Sequence, residues 1–270
     1  MTVIDEFEEL VEEFLNTPHA IAVCNGTAGL HTAVSILGVG KDDVVITTPF
    51  SFIASANCIL FNGATPVFAD IDSKTLCIDP KEIEKRIKDC RLVGKEPKAI
   101  IVVHLFGKAC DMDAIMKIAR KYGIPVIEDC AQAFGVKYKG RYVGTIGDIG
   151  VFSFYATKNL WTFEGGMVVT HWNTFAGWAR AFIDHGQVNK YEHTILGHNY
   201  RMPQICALIG LTQLKLHKTG IIAELGTYGV KTGHYPDVIY NQPLYKRLGI
   251  KGNCPIAEKA AKEARIYFRQ

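Results

Sequence analysis

The chain has 270 residues, 48% of them hydrophobic and 21% charged, enough for one large α/β domain with or without an appendage and too apolar for global disorder. Thirty basic against 27 acidic residues leave a net charge of only +3, which argues against a nucleic-acid binder driven by bulk charge. No apolar run reaches membrane-spanning length, and the acidic start (Asp5, Glu6, Glu8, Glu9) lacks a signal-peptide pattern.

Residues 4–15 place Ile4, Phe7, Leu10, Val11, Phe14 and Leu15 at helical spacing, with the acids between them as a solvated face. A short apolar run, AIAVCN, ends at Gly26, and TAGLHTAVSIL then reads as a helix stopping at Gly38. Runs rich in Val and Ile follow at 43–50, 65–71, 99–106, 125–131, 148–154 and 165–170. Several are apolar throughout, as in a sheet buried on both faces. Helices are expected at 51–62, 80–89 and 111–122, with start signals at Asp79-Pro80 and Asp111 and a stop at Gly123. This alternation predicts a three-layer αβα fold with a mostly parallel sheet. After about residue 218 the periodicity weakens. From Lys215 onward ten Lys or Arg stand against four acids, read as a solvated surface.

Eight cysteines contain no C-x-x-C pair, so zinc and thioredoxin-type chemistry lack local support. They read as small buried hydrophobes in a reducing cytoplasm.

Three places carry candidate chemistry. Asn25-Gly26-Thr27-Ala28-Gly29 joins a strand to a helix, where free N–H groups and the helix dipole suit an anion. The plain alternative is an ordinary turn with Thr27 as N-cap. Glu128 and Asp129 end an apolar run at the sheet edge where ligands of open α/β folds collect. An acid there suits a pyridinium nitrogen, and equally suits a helix cap or a surface lysine. Lys158 follows Phe152-Ser153-Phe154-Tyr155. Desolvation among such neighbours lowers an amine's pKa and favours nucleophilic use, whereas a loop lysine is ordinarily just solvated.

The three occur in one order within one α/β pattern, and around them the chain resembles the DegT/DnrJ/EryC1/StrS sugar aminotransferases. The carrying motifs are NGTAGLHTAV (25–34), ITTPFSFIASAN (46–57), GATPVFADID (63–72), IEDCAQAFG (127–135), GDIGVFSFYATKN (147–159), EGGMVVT (164–170), DHGQ (184–187) and NYRM (199–202). The resemblance implies an aspartate-aminotransferase-like large domain over 1–218 and a reduced C-terminal small domain over 219–270. It implies pyridoxal 5′-phosphate as cofactor, attached to Lys158, with Asp129 facing the pyridine nitrogen and Gln132 the 3-hydroxyl. Thr27, Ala28 and Ser153 correspond to phosphate contacts and Phe52 to the aromatic stacked on the ring. Asn199 corresponds to an asparagine that reaches the neighbouring subunit's phosphate, implying a homodimer with shared sites. His185 is a weaker substrate candidate, equally read as a helix-end histidine.

The implied reaction moves an amino group from glutamate to a nucleotide-linked keto-sugar. A sister branch that removes a sugar hydroxyl carries histidine in place of Lys158. The resemblance begins near residue 5, where members commonly carry a further N-terminal segment. After Lys218 it jumps to Gly229–Pro236 and NQPLYKRLGIKG, so both ends are expected to be shortened. Phe163 stands where glycine is common. Two alternatives therefore accompany the leading one: a non-catalytic relative that binds cofactor or partner, and a different pyridoxal-phosphate reaction on an amino acid.

Overall fold

A computed structural model describes residues 1–218 and 235–267, with side chains through Glu263. The Gly229–His234 piece of the expected small-domain remnant lies outside the described residues. Helix α1 (Val3–Leu15) leads into β1 (His19–Val23), α2 (Gly26–Ile36), β2 (Val44–Thr47), α3 (Ala54–Phe61) and β3 (Thr65–Phe68). Then come α4 (Pro80–Leu92), β4 (Pro97–Val103), α5 (Met112–Tyr122), β5 (Val126–Asp129) and a small hairpin of β6 (Lys137–Tyr138) and β7 (Arg141–Tyr142). Strands β8 (Ile149–Ser153) and β9 (Gly166–Thr170) precede α6 (Asn173–Ile183), a second hairpin of β10 (Gln187–Asn189) and β11 (Glu192–His193), and α7 (Gln204–Lys218). Two helices close the described chain, α8 (Pro243–Arg247) and α9 (Pro255–Tyr267).

Seven strands form one sheet in the order β1-β9-β8-β5-β4-β2-β3. The pairs from β8 through β5, β4 and β2 to β3 are parallel, and β9 alone runs against its neighbours β1 and β8. Alternation along each strand sends side chains to opposite faces. In β4, Ala99 and Ile101 join the core under α2, α3 and α6, while Ile100 and Val102 join the core under α4 and α5. Helices α1 and α7 cover the rest of that second face through Phe7, Val11, Leu211 and Leu214. The expected three layers are thus present. The described C-terminal stretch packs into the same body: Val238, Ile239, Tyr245 and Ala257 share a core with Phe68, Ile83 and Ile87. Among the described residues no helix is long and apolar enough to cross a membrane.

Two local expectations change. The acids of α1 are not only a solvated face. β1 is an edge strand with N–H groups turned outward, and Glu8 and Glu12 accept from Ala22 N–H at 2.7 Å and Ala20 N–H at 2.9 Å. Helix carboxylates therefore close an open sheet edge that would otherwise expose unpaired donors. Arg180 of α6 reaches Glu8 at 2.8 Å and balances its charge. The cap of α2 is Asn25 rather than Thr27, since Asn25 Oδ1 accepts from Ala28 N–H at 2.8 Å. A shorter threonine in the first turn is left with its hydroxyl free of that duty. The cysteines behave as expected: all are unpaired, and all but the half-buried Cys24 are buried.

Candidate active site

The site gathers at the C-terminal ends of β4, β5 and β8, where Val103 pairs with Asp129 and Asp129 with Val151. Helix α2 points its N-terminus at the same edge. A Cβ on Gly26 would come within 2.8 Å of Ser153 Cβ, so glycine is what lets the helix end approach β8. The N–H groups of Gly26 and Thr27 belong to the first turn and have no intrahelical acceptor, and Ser153 lies beside them. Ala28 N–H is already engaged by Asn25. The junction brings together a helix N-terminus, one threonine and one serine, a composition suited to an anion.

Asp129 is 3% exposed, and Ser55 Oγ at the start of α3 donates to its Oδ2 at 2.7 Å, with Ala131 N–H on Oδ1 at 3.1 Å. Burial pushes its carboxyl above the ordinary value, and Ser55, Ala131 and the nearby Lys158 charge offset this only in part. A carboxylate has about four acceptor positions, so two donors leave it able to take another. Lys158 sits in the turn after β8, its N–H bonded to Tyr155 O at 2.9 Å. Burial pushes its amine below the ordinary lysine value, against the pull of Asp129. Among the described residues its amine donates to no side chain.

Gln132 spans the mouth of the site. Its Oε1 accepts from Phe106 N–H at 2.9 Å, and its Nε2 donates to Tyr235 Oη at 2.7 Å. Phe52 stands at the start of α3 with its side chain 60% exposed, an aromatic face free to stack. Asn199 is exposed beside the β1 end, bridged to Asp184 through the backbone. His185 is exposed just past the end of α6 with φ +58°, and its N–H bonds His198 O. The structure therefore gathers Asp129, Gln132, Lys158, Ser153, Thr27 and Ala28 on one sheet edge, with Phe52 beside them. Asn199 and His185 lie on the exposed surface of the chain.

Glu128 takes none of the three roles the sequence left open. It points to the other face from Asp129 and is fully buried. It accepts from His104 Nε2 at 2.9 Å, Gly144 N–H at 2.9 Å, Ile146 N–H at 2.7 Å and Gly147 N–H at 2.6 Å. Burial opposes its charge, but His104 and these N–H donors hold its carboxyl below the ordinary value. His104 Nδ1 accepts from Cys110 N–H at 3.1 Å, which leaves Nε2 as the protonated nitrogen. His104, Glu128 and Cys130 converge within 4.8 Å, yet the imidazole and both carboxylate oxygens are already engaged by the protein. The loop before β8 is anchored by this acid.

The donor set fits pyridoxal phosphate: an under-satisfied buried acid, an amine disfavoured as a cation, an anion cradle and a free aromatic face converge on one edge. The DegT/DnrJ/EryC1/StrS aminotransferase family matches residues 2–219. The chain belongs to this family. GDP-perosamine synthase of Escherichia coli O157:H7 is 44% identical over 214 residues, which are 78% of this chain and 57% of that protein. The chain thus spans little more than half the length of such curated relatives. The pleiotropic regulatory protein of Geobacillus stearothermophilus is 35% identical, with 97% of this chain and 82% of that protein covered. A DegT DnrJ EryC1 StrS aminotransferase from Brucella abortus has a crystal structure that superposes with TM-score 0.86 at 26% identity, covering 96% of this chain and 83% of its own. Within the family fold, the sequence reading missed Ser55 and Tyr235. Ser55 lies inside a motif already quoted, three residues after Phe52 on the helix that faces β5. Tyr235 lies in the quoted Gly229–Pro236 stretch, but nothing in its local pattern ties it to Gln132.

Proposed function

We propose that the protein is a pyridoxal-phosphate-dependent aminotransferase that moves the amino group of glutamate to a nucleotide-linked keto-sugar. The observation that carries the reading is the placement of Asp129 and Lys158 at one sheet edge, close enough for each to feel the other's charge. Burial keeps the acid from satisfying itself on water and biases the amine toward its neutral form. When bound, pyridoxal phosphate supplies the electron sink that lets an amino group pass between two carbonyl carbons. Asp129 would hold the ring nitrogen, Gln132 the 3-oxygen, Thr27 and Ser153 the phosphate, and Phe52 one face of the ring; Ala28, also expected at the phosphate, has its N–H taken by Asn25 and would have to share it.

Lys158 Nζ would take the proton from the donor's reacting carbon and return it to the acceptor's. One base serves both halves because each needs a single proton moved beside the same site. The exposed Asn199 suits a residue that completes the phosphate site of a second copy, so the working unit is a homodimer, placed in the cytoplasm. The exposed His185 would be a weak substrate contact, and equally suits a helix-end histidine. Residues 1–218 would form the cofactor domain and 219–270 the remnant of a small one.

Absorbance of the purified protein tests this. Added pyridoxal phosphate should give a near-visible band that glutamate converts and that Lys158→Ala abolishes. A protein that develops no band overturns the reading. A band that forms but does not respond to glutamate favours the non-catalytic relative, and 2-oxoglutarate release with a keto-sugar acceptor separates sugar transamination from amino-acid chemistry.

A further inference from the structure

Tyr235 lies 77 positions beyond Lys158 in the chain, yet it reaches the centre of the site. Its ring stacks on Phe106 (6.0 Å between centroids, 19° between planes) and meets Phe50 edge-on at 5.9 Å. Its oxygen receives Gln132 Nε2–H at 2.7 Å. The Phe52 backbone N–H also acts on the hydroxyl as a donor, and the Asp129 charge faces it. Burial, with that charge, pushes the phenol up to about 12, so it holds its proton at neutral pH.

A phenol offers one donor and two acceptor positions. Here donors are directed at the oxygen, while its own proton has no acceptor among the described residues. A half-buried donor in that condition is aimed at whatever fills the site. The groups around it are Phe52, Asp129 and Gln132, the three that the proposed function assigns to the cofactor ring. We propose that Tyr235 is a cofactor-binding residue, donating its hydroxyl proton to the ring oxygen of pyridoxal phosphate that Gln132 also serves. The inference rests on the proposed function above. It brings the C-terminal segment, which lies beyond residues 2–219 matched by the family model, into the cofactor site.

The test is a two-by-two binding measurement by equilibrium dialysis. Wild type and Tyr235→Phe are each titrated with pyridoxal phosphate and with 3-deoxypyridoxal phosphate, which lacks only the ring oxygen. The expected result is a five- to tenfold weakening of pyridoxal phosphate in the variant, about the worth of one hydrogen bond, with the deoxy analogue bound equally by both proteins. Equal weakening of both ligands would mean that the hydroxyl merely shapes the pocket, and it overturns the proposal. So does unchanged affinity for both, or tighter pyridoxal phosphate binding by the variant, which would make Tyr235 an obstacle. Wild type that binds neither ligand sinks the proposed function itself, a distinct outcome. Thermal melting of the apo-proteins checks the fold; Tyr235→Leu, which also deletes the ring, should lower the melting temperature and weaken both ligands.

Discussion

Glu128 and Asp129 are neighbours in β5, equally out of reach of water, and the protein treats them oppositely. Glu128 faces the side of the sheet under α5 and the β6–β7 hairpin, where four donors saturate it. Asp129 faces α2 and α3, where only Ser55 and Ala131 donate to it. The first carboxyl is held below its ordinary pKa and the second is pushed above it. A buried charge that is fully met becomes architecture, and one that is half met keeps capacity for a ligand. Which face a residue takes, set by the two-residue period of the strand, decides between scaffold and chemistry.

The largest expected effect breaks the active side. Asp129→Asn keeps the shape and removes the charge, and should lower transamination about a thousandfold, or ~4 kcal/mol, without lowering the melting temperature. If the variant turns over at the wild-type rate, Asp129 does not face the cofactor. The converse change, Glu128→Gln, presents an NH₂ group to N–H donors and should destabilise the fold by about 3 kcal/mol in urea titration. A Glu128→Gln protein as stable as wild type would show that the four donors are dispensable.

Acid sharpens the contrast further. Glu128 has a depressed folded pKa, so its contribution is complete above the unfolded value of about 4.3 and fades as pH falls through the lower folded one. Asp129 has a raised folded pKa, so its contribution is present at low pH and is lost as pH rises through that value. The stability gap between wild type and Glu128→Gln should therefore shrink on acidification below about pH 4. Asp129→Asn should gain on wild type as pH rises from the same range toward neutrality. Melting curves between pH 3 and 7 read both, and parallel trends for the two variants would contradict the assignment.

Much of this was legible in the sequence, and the failures have a common cause. The strands, α4 with its Asp79-Pro80 start and α5 between Asp111 and Gly123 follow from local pattern. Asp129 and Lys158 stand out because strand-end position and an apolar setting are also local. Helix α6 has no such local mark, since NTFAGWARAFI lacks a side-chain cap and mixes Trp, Phe and Gly into its turns. The reversal of β9 depends on its partners β1 and β8 and leaves no mark in GMVVT itself. Glu128 needed His104, 24 residues away, and Gln132 needed Tyr235, 103 away. Neither partner is fixed by spacing; both meet only once the sheet order is known.

The smallest effect asks whether the loop that presents Lys158 stores backbone strain as well as charge. Phe163 lies in the loop between β8 and β9 that carries Lys158, and its φ of +65° falls in the left-handed region. An L-residue there costs roughly 1–2 kcal/mol, which explains why the family resemblance expects glycine. Phe163 is 61% exposed and meets Trp161 edge-on at 5.0 Å, and this exposure leaves packing little to offset the strain. Phe163→Ala keeps the strained backbone and loses the ring, whereas Phe163→Gly relieves the strain at the expense of unfolded-state entropy. The glycine variant should be more stable than the alanine variant by about 1 kcal/mol, the reverse of their order in a helix or strand. A non-glycine left-handed residue near Glu128 is Lys139, φ +48°, at the hairpin turn and paired with Asp113. Lys139→Gly should gain less over Lys139→Ala than the Phe163 pair does, because a turn lysine held by an ion pair loses that contact in both variants while the tight hairpin already selects its conformation. Equal gains at the two sites would mean that strain is not particular to the loop that presents Lys158 to Asp129.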